Sequence, residues 1–187
     1  MADERMGPVP TESYNELQRE ACAQFETLRD TPLFGPFECL IRSPEVLIHT
    51  QALGEYLRYR SSLGIRLTEM VILITARIWT QQYEWSLHQP LALQAGLSKA
   101  IADAIASGKR PAEMSEEEAV CYDFSMQLHS KREVSDKTYD RALVIFGEGG
   151  IIDLTAINGY YAFLAMQLNV MRTPSVKGGP TLSENKE

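Results

Sequence analysis

Apolar residues recur along most of this chain at helical spacing. Tyr14, Leu17, Ala21, Phe25 and Leu28 fall on one stripe and predict a first amphipathic helix ending near Arg29. Two prolines and a glycine in Thr31–Phe37 interrupt it, and predict an ordered apolar loop whose Phe34 and Phe37 plug the core or wall a pocket. Ser43-Pro44 restarts the helix as cap and first helical position, with Val46, Leu47, Leu53 and Leu57 as its buried stripe. Gly96 closes one helix, and Ser98 opens another that Gly108 ends. Ser115-Glu116-Glu117-Glu118 has the form of a capping box for a helix through about His129. Ser135 caps a helix to Phe146 that Gly147 stops, and a last apolar helix runs from Ile151 to about Met171. The breadth of its apolar surface suggests burial against a neighbouring helix or a partner subunit. No strand pattern competes, so the expected fold is an all-α domain of about seven to nine helices joined by short turns. Residues 1–10 read as a loose tail, 11–174 as the domain, and 175–187, polar and rich in Gly and Pro, as disordered.

The densest chemistry lies in Thr68–Gly96. Met70 to Trp79 is apolar nearly all round, the pattern of a helix buried inside an assembly. Further on, Glu84 and His88 stand four residues apart, which on a helix brings them to one face about 6 Å apart along the axis. Glu69, after Thr68, suits a helix start, where free N–H groups favour a carboxylate. An unbroken helix would hold Glu69 about 22 Å from Glu84, too far for shared chemistry. A break at Thr80-Gln81-Gln82, with Thr80 capping the second helix, would let the chain fold Glu69 back toward the pair.

Composition narrows the function. The chain has 187 residues, 44% of them hydrophobic, enough for the core of one domain. A net charge of −7 without any Lys/Arg cluster speaks against nucleic acid as a partner. The charged, Pro-containing start has no apolar core, and no window reaches the roughly 18 consecutive apolar residues of a membrane span, so a cytoplasmic protein is expected. Cys22, Cys39 and Cys121 are widely spaced, which predicts three reduced, mostly buried thiols.

A carboxylate beside an imidazole stabilises the imidazolium and orients the ring, as a general acid near neutral pH requires. The competing reading of Glu84 and His88 is an i, i+4 salt bridge on a solvated face, against which Tyr83 and Trp85 on either side argue. Arg58, at a helix end, either complements the dipole or holds a substrate carboxylate through its planar fork. His49 and His129 have no second ligand-type residue at metal spacing, and H-E-x-x-H, phosphate loops and dinucleotide fingerprints are absent, so neither metal nor cofactor is expected.

Three segments, GPFECLIRSPEVLIHTQALGEYLRYRSSL, TEMVILITARIWTQQYEWSLHQPLALQAGL and LTAINGYYAFLAMQLNV, give the chain a resemblance to the carboxymuconolactone decarboxylase family. Its superfamily includes the AhpD-type alkylhydroperoxidases, and the likeness covers most of the chain. The redox branch carries a glutamate, a C-x-x-C pair and a histidine four residues after the second cysteine. In this alignment Glu69 takes the place of the glutamate and His88 that of the histidine. Gln81 and Glu84 occupy the two cysteine positions, which removes the attacking and resolving thiols of a disulfide cycle.

The resemblance implies an AhpD-like homo-oligomer, trimeric or hexameric, with a non-redox acid–base site of Glu69, Glu84 and His88. The expected activity is a cofactor-free carboxy-lyase acting on a small carboxylated lactone or organic acid, of the kind met in aromatic degradation. His88 would donate a proton to carbon, Glu84 would set its pKa and tautomer, and Glu69 would relay or position a water. Arg58 would anchor a carboxylate, and Trp79, Tyr83 and Trp85 would form apolar walls. Two rival expectations stand beside it: a peroxidase or other antioxidant of the AhpD type, and an oligomer that binds a small ligand without turning it over.

Overall fold

The computed structural model describes residues 3–183. After a 3-10 turn at Thr11–Ser13 come eight α-helices: α1 (Glu16–Arg29), α2 (Pro36–Leu40), α3 (Pro44–Tyr59), α4 (Ile65–Ile78), α5 (Gln82–Gln94), α6 (Lys99–Ala106), α7 (Glu116–Lys131) and α8 (Asp136–Met171). No strand occurs among the described residues.

The apolar run in α4 makes it the central helix. Leu67 to Ala76 are all buried, and α5, α6, α7 and α8 pack around it. Val71 and Ile72 meet Val120 and Phe124 of α7 and Leu154 and Ile157 of α8 in one cluster. On its other side Met70, Leu73 and Ile74 meet Trp85 of α5 and Ile101 and Ile105 of α6. A third cluster joins α1, α2 and the start of α3 through Phe25, Phe37, Ile41 and Leu47. Removing one such side chain to Ala costs about 2–5 kcal/mol, so the first two clusters fix their helices firmly around α4 and the third ties α1, α2 and α3 together.

Most boundaries follow their caps. Asn15 with Gln18 and Ser115 with Glu118 close reciprocal capping boxes. Gly147 (φ 67°, ψ 178°) bends α8, and the helix resumes at once rather than at Ile151. Among the described residues, α8 alone is long and apolar enough to cross a membrane by length and composition. It is bent and packs against α3, α4 and α7, the setting of a core helix.

Several expectations change. Leu17, Leu28, Val46 and Leu53 are exposed in the single chain, because the two stripes are narrower than their apolar content, while Tyr14, Ala21, Phe25, Leu47 and Leu57 reach the core. Ser43 precedes α3 without a side-chain capping bond. The segment read as a disordered tail lies along α5 as far as residue 183. There Val176 donates its N–H to Ser86 Oγ, Leu182 exchanges two hydrogen bonds with the Gln82 side chain, and the Leu182 side chain is buried in the second cluster. At the other end Arg5 bonds to the Met171 and Val170 carbonyls and Val9 packs on the third cluster. Residues 1–2 and 184–187 of those two tails lie outside the described residues.

Candidate functional site

The break between α4 and α5 is the local event that assembles the site. Thr80 has φ +47°, a left-handed conformation that a β-branched residue adopts at a cost of about 1–2 kcal/mol. The corner is held by Asn169 of α8, which donates to the Trp79 carbonyl and accepts from Gln81 Nε2. Gln81, not Thr80, caps α5: its Oε1 accepts from the N–H groups of Tyr83 and Glu84. Because Thr80 turns left-handed, the extended residue before the new helix is Gln81, and its longer side chain reaches the free amides.

The turn folds α5 back along α4 and brings four charged side chains into line. Arg58 Nε donates to Glu69 Oε1 at 3.0 Å, Glu69 Oε2 lies 2.7 Å from His88 Nδ1, and His88 Nε2 lies 3.2 Å from Glu84 Oε2. Glu69 has no exposed surface, and His88 and Glu84 have almost none. Glu69 sits in the second turn of α4, which begins at Ile65, so its charge is balanced by Arg58 and His88 rather than by a helix start. Arg58 is correspondingly more than an end cap: Glu69 holds its Nε, and its terminal nitrogens make no hydrogen bond among the described residues.

Burial pulls the His88 pKa down, but the hydrogen bonds and charges of Glu69 and Glu84 outweigh it, and the net shift is upward. For Glu69, burial pushes up, while the His88 hydrogen bond, the His88 charge and Arg58 together hold the carboxyl below its ordinary range. The Arg58 guanidinium loses stabilisation through burial and regains more from Glu69. The line thus runs guanidinium, carboxyl, imidazole, carboxyl, and the shifts of Arg58, Glu69 and His88 all favour their charged forms.

This line opens on a small cavity of about 30 Å³ that Arg58, Glu84 and His88 border and Glu69 does not. Glu69 stands behind the imidazole as its support, and Glu84 shares the cavity with the Nε2 edge. Phe34, Pro36, Phe37, Leu87 and Leu164 supply apolar wall. Tyr83 lines it, its hydroxyl lodged against Gly35 and its pKa pushed up to about 12 by burial and then by Glu84. Trp79 and Trp85 do not line it. Trp85 is one residue, or about 100°, from Glu84 on α5 and points into the α4–α6 cluster. Trp79 lies on the α4–α5 corner, half-buried.

Besides the apolar Leu87 and Leu164, four lining residues escaped the sequence reading: Arg29 of α1, Gly54 of α3, and Tyr160 and Tyr161 of α8. Tyr161 meets the His88 ring edge-on at 5.4 Å, and burial keeps its hydroxyl protonated far above the usual range. The one sequence signal was the pair of consecutive tyrosines in α8. Arg29 gave no more than a helix-end charge.

None of the thiols borders the cavity. Cys121 is in the core with its pKa pushed up to about 12 by burial, and Cys22 and Cys39 are also raised, chiefly by burial. Among the described residues no group of three or more His, Cys, Asp or Glu has an arrangement suited to a metal ion.

No family model matches the sequence, and a search of curated proteins finds no match. Solved structures are informative. The chain is similar to an alkylhydroperoxidase AhpD core, an uncharacterized peroxidase-related protein from Ralstonia eutropha JMP134, with TM-score 0.75 and 14% identity over 93% of both chains. It is also similar to a variant of the debrominase Bmp8 in complex with 2,3,4-tribromopyrrole, with TM-score 0.72 and 13% identity over 94% of this chain and 95% of that one. The apo form of Bmp8 aligns with TM-score 0.70 and 13% identity over 91% of each chain. At such identities the likeness establishes architecture, and together with the helix order and the central α4 it gives this chain the AhpD-like all-α fold.

Proposed function

We propose that this protein is a cofactor-free acid–base enzyme of the carboxymuconolactone decarboxylase type, a carboxy-lyase for a small carboxylated lactone or related organic acid. One observation carries the reading: a buried imidazole with a carboxylate on each nitrogen, one sealed in the core and the other at the cavity. Glu69 fixes the ring and stabilises its charge. His88 Nε2 and Glu84 share the proton that passes to the substrate. Arg58 offers its terminal nitrogens to a carboxylate, and the apolar walls weaken the hydration of the carboxylate that leaves.

The thiol-dependent alternative finds less support, since the cavity has no cysteine and all three thiols are held protonated. Exposed Ile152, Phe163, Met166 and Val170 on α8 suit burial against another copy of the chain, and we read the protein as a cytoplasmic homo-oligomer. The test is to mix purified protein with γ-carboxymuconolactone and follow CO2 release and lactone absorbance, with His88→Ala beside it. Turnover lost in the variant is the expected result. Turnover retained removes His88 as proton donor, and no turnover by either protein removes this substrate.

A further inference from the structure

The cavity lining also holds two buried donors with no hydrogen-bond partner among the described residues. Tyr160 is 93% buried by its 7% exposure, and its Oη has no hydrogen-bond partner among the described residues. Arg29 is anchored by Nη2 to the Gln51 carbonyl at 2.9 Å and packed over the Phe37 ring at 5.0 Å, which leaves its buried Nε likewise without a partner. The guanidinium lies beside the tyrosine, yet the two do not form a well-aligned hydrogen bond. A third residue locates them. A Cβ added to Gly54 would stand 2.0 Å from Tyr160 Oη and 3.1 Å from Arg29 Nη2, so hydroxyl and guanidinium converge where α3 lacks a side chain. Arg58, the arm reaching toward Glu69 and His88, is one turn further along the same face of α3, about 6 Å away.

Two buried donors of this kind call for an acceptor, because a donor stripped of water and left unpaired is costly. Burial raises the Tyr160 pKa, so the hydroxyl keeps its proton and remains able to donate it to an accepting atom. We propose that Arg29 and Tyr160 form an oxyanion subsite, and that the ligand is a small enolisable carbonyl compound whose oxygen sits there while its reacting carbon faces His88. The catalytic part of this rests on the acid–base reading above; the binding part does not. When the bond from carbon to carboxylate breaks, CO2 leaves and its electron pair moves through the conjugated system onto the carbonyl oxygen. The enolate oxygen accepts from Tyr160 O–H and Arg29 Nε–H. A proton from the His88–Glu84 pair then adds to carbon, the carbonyl re-forms, and solvent restores the proton.

The probe is 4-nitrophenol, whose phenolate absorbs visibly where the phenol does not and which has no carboxylate to lose. Wild-type protein is expected to bind the phenolate preferentially, lowering the apparent pKa of the bound probe by about one unit, the tenfold bias of one charge-assisted hydrogen bond. Tyr160→Phe is expected to abolish the bias with thermal unfolding otherwise near wild type. Gly54→Ala, which helix geometry accepts but the hydroxyl does not, should do the same. Should Tyr160→Phe fail to fold, Arg29→Lys keeps the charge, loses the Nε donor and carries the test. Wild type that binds no probe, or binds phenol and phenolate alike, overturns the proposal, as does Tyr160→Phe with the bias intact. Because the probe is never turned over, this outcome is independent of whether the lactone is decarboxylated.

Discussion

Glu69→Gln removes one charge and almost no volume from a position with no exposed surface, between Arg58 at 3.0 Å and His88 at 2.7 Å. The amide oxygen can accept from one neighbour, while the amide NH2 then meets a second donor. Removing one partner of a buried ion pair costs about 3–5 kcal/mol, because the groups left behind stay buried. For a chain of this length that is on the order of 10 °C in melting temperature. The pH dependence gives the sharper check. Glu69 has a lowered folded pKa, so its contribution is present above the ordinary carboxylate value and is lost as pH falls through the folded one. His88 has a raised folded pKa, so its contribution is fully present below about 6.5 and is lost as pH rises through the folded value. Both operate together between about pH 4.5 and 6.5, where wild type should be most stable relative to the variant. Urea unfolding of both proteins from pH 4 to 9 measures this. A loss below about 1 kcal/mol at pH 6, or a difference flat across the range, would refute the charged, mutually supported network.

Other consequences can be checked separately. With only three histidines in the chain, NMR titration should find His88 protonated at pH values where His129, lowered by burial despite its Asn158 bond, is already neutral; the reverse order would overturn the assignment. Gln81→Ala should destabilise by about 1 kcal/mol through the lost cap, and reduce kcat for whatever the enzyme turns over because Glu84 is one of the two amides it holds. Leu182→Ala should cost about 2–3 kcal/mol in urea unfolding, whereas an unchanged midpoint would mean the 175–183 segment is not docked on α5. Ile152→Asp together with Val170→Asp should lower the mass seen by light scattering if α8 forms the contact between copies, and leave it unchanged otherwise.

The helices were legible in the sequence because their causes are local. Capping at Ser98 and Ser115, left-handed glycines at Gly96 and Gly108, and the bend at Gly147 involve residues within a few positions of each other. The buried character of α4 was equally plain, since a helix apolar on every side has nowhere to lie but the centre. Spacing also gave the Glu84–His88 pair, because i, i+4 on one helix is a contact whatever surrounds it. It further required that the helix break before Glu69 could join them.

What the tertiary structure decided is everything that depends on which helix lies across from which. Arg58, Glu69 and His88 come from three helices, and their order along the line, with Glu69 sealed behind the ring and Glu84 at the cavity, follows from the packing of α3 and α5 on α4. The same packing turned Trp85 away from the cavity and brought Tyr160, Tyr161 and Arg29 to it, although nothing near those residues in the chain announces chemistry. It also tied residues 175–183 to α5: a polar, glycine-rich segment buries too little by itself to order, but a single leucine and a few backbone hydrogen bonds suffice once a preformed helix offers them partners. Local preference writes the elements, and long-range burial chooses which of their side chains meet.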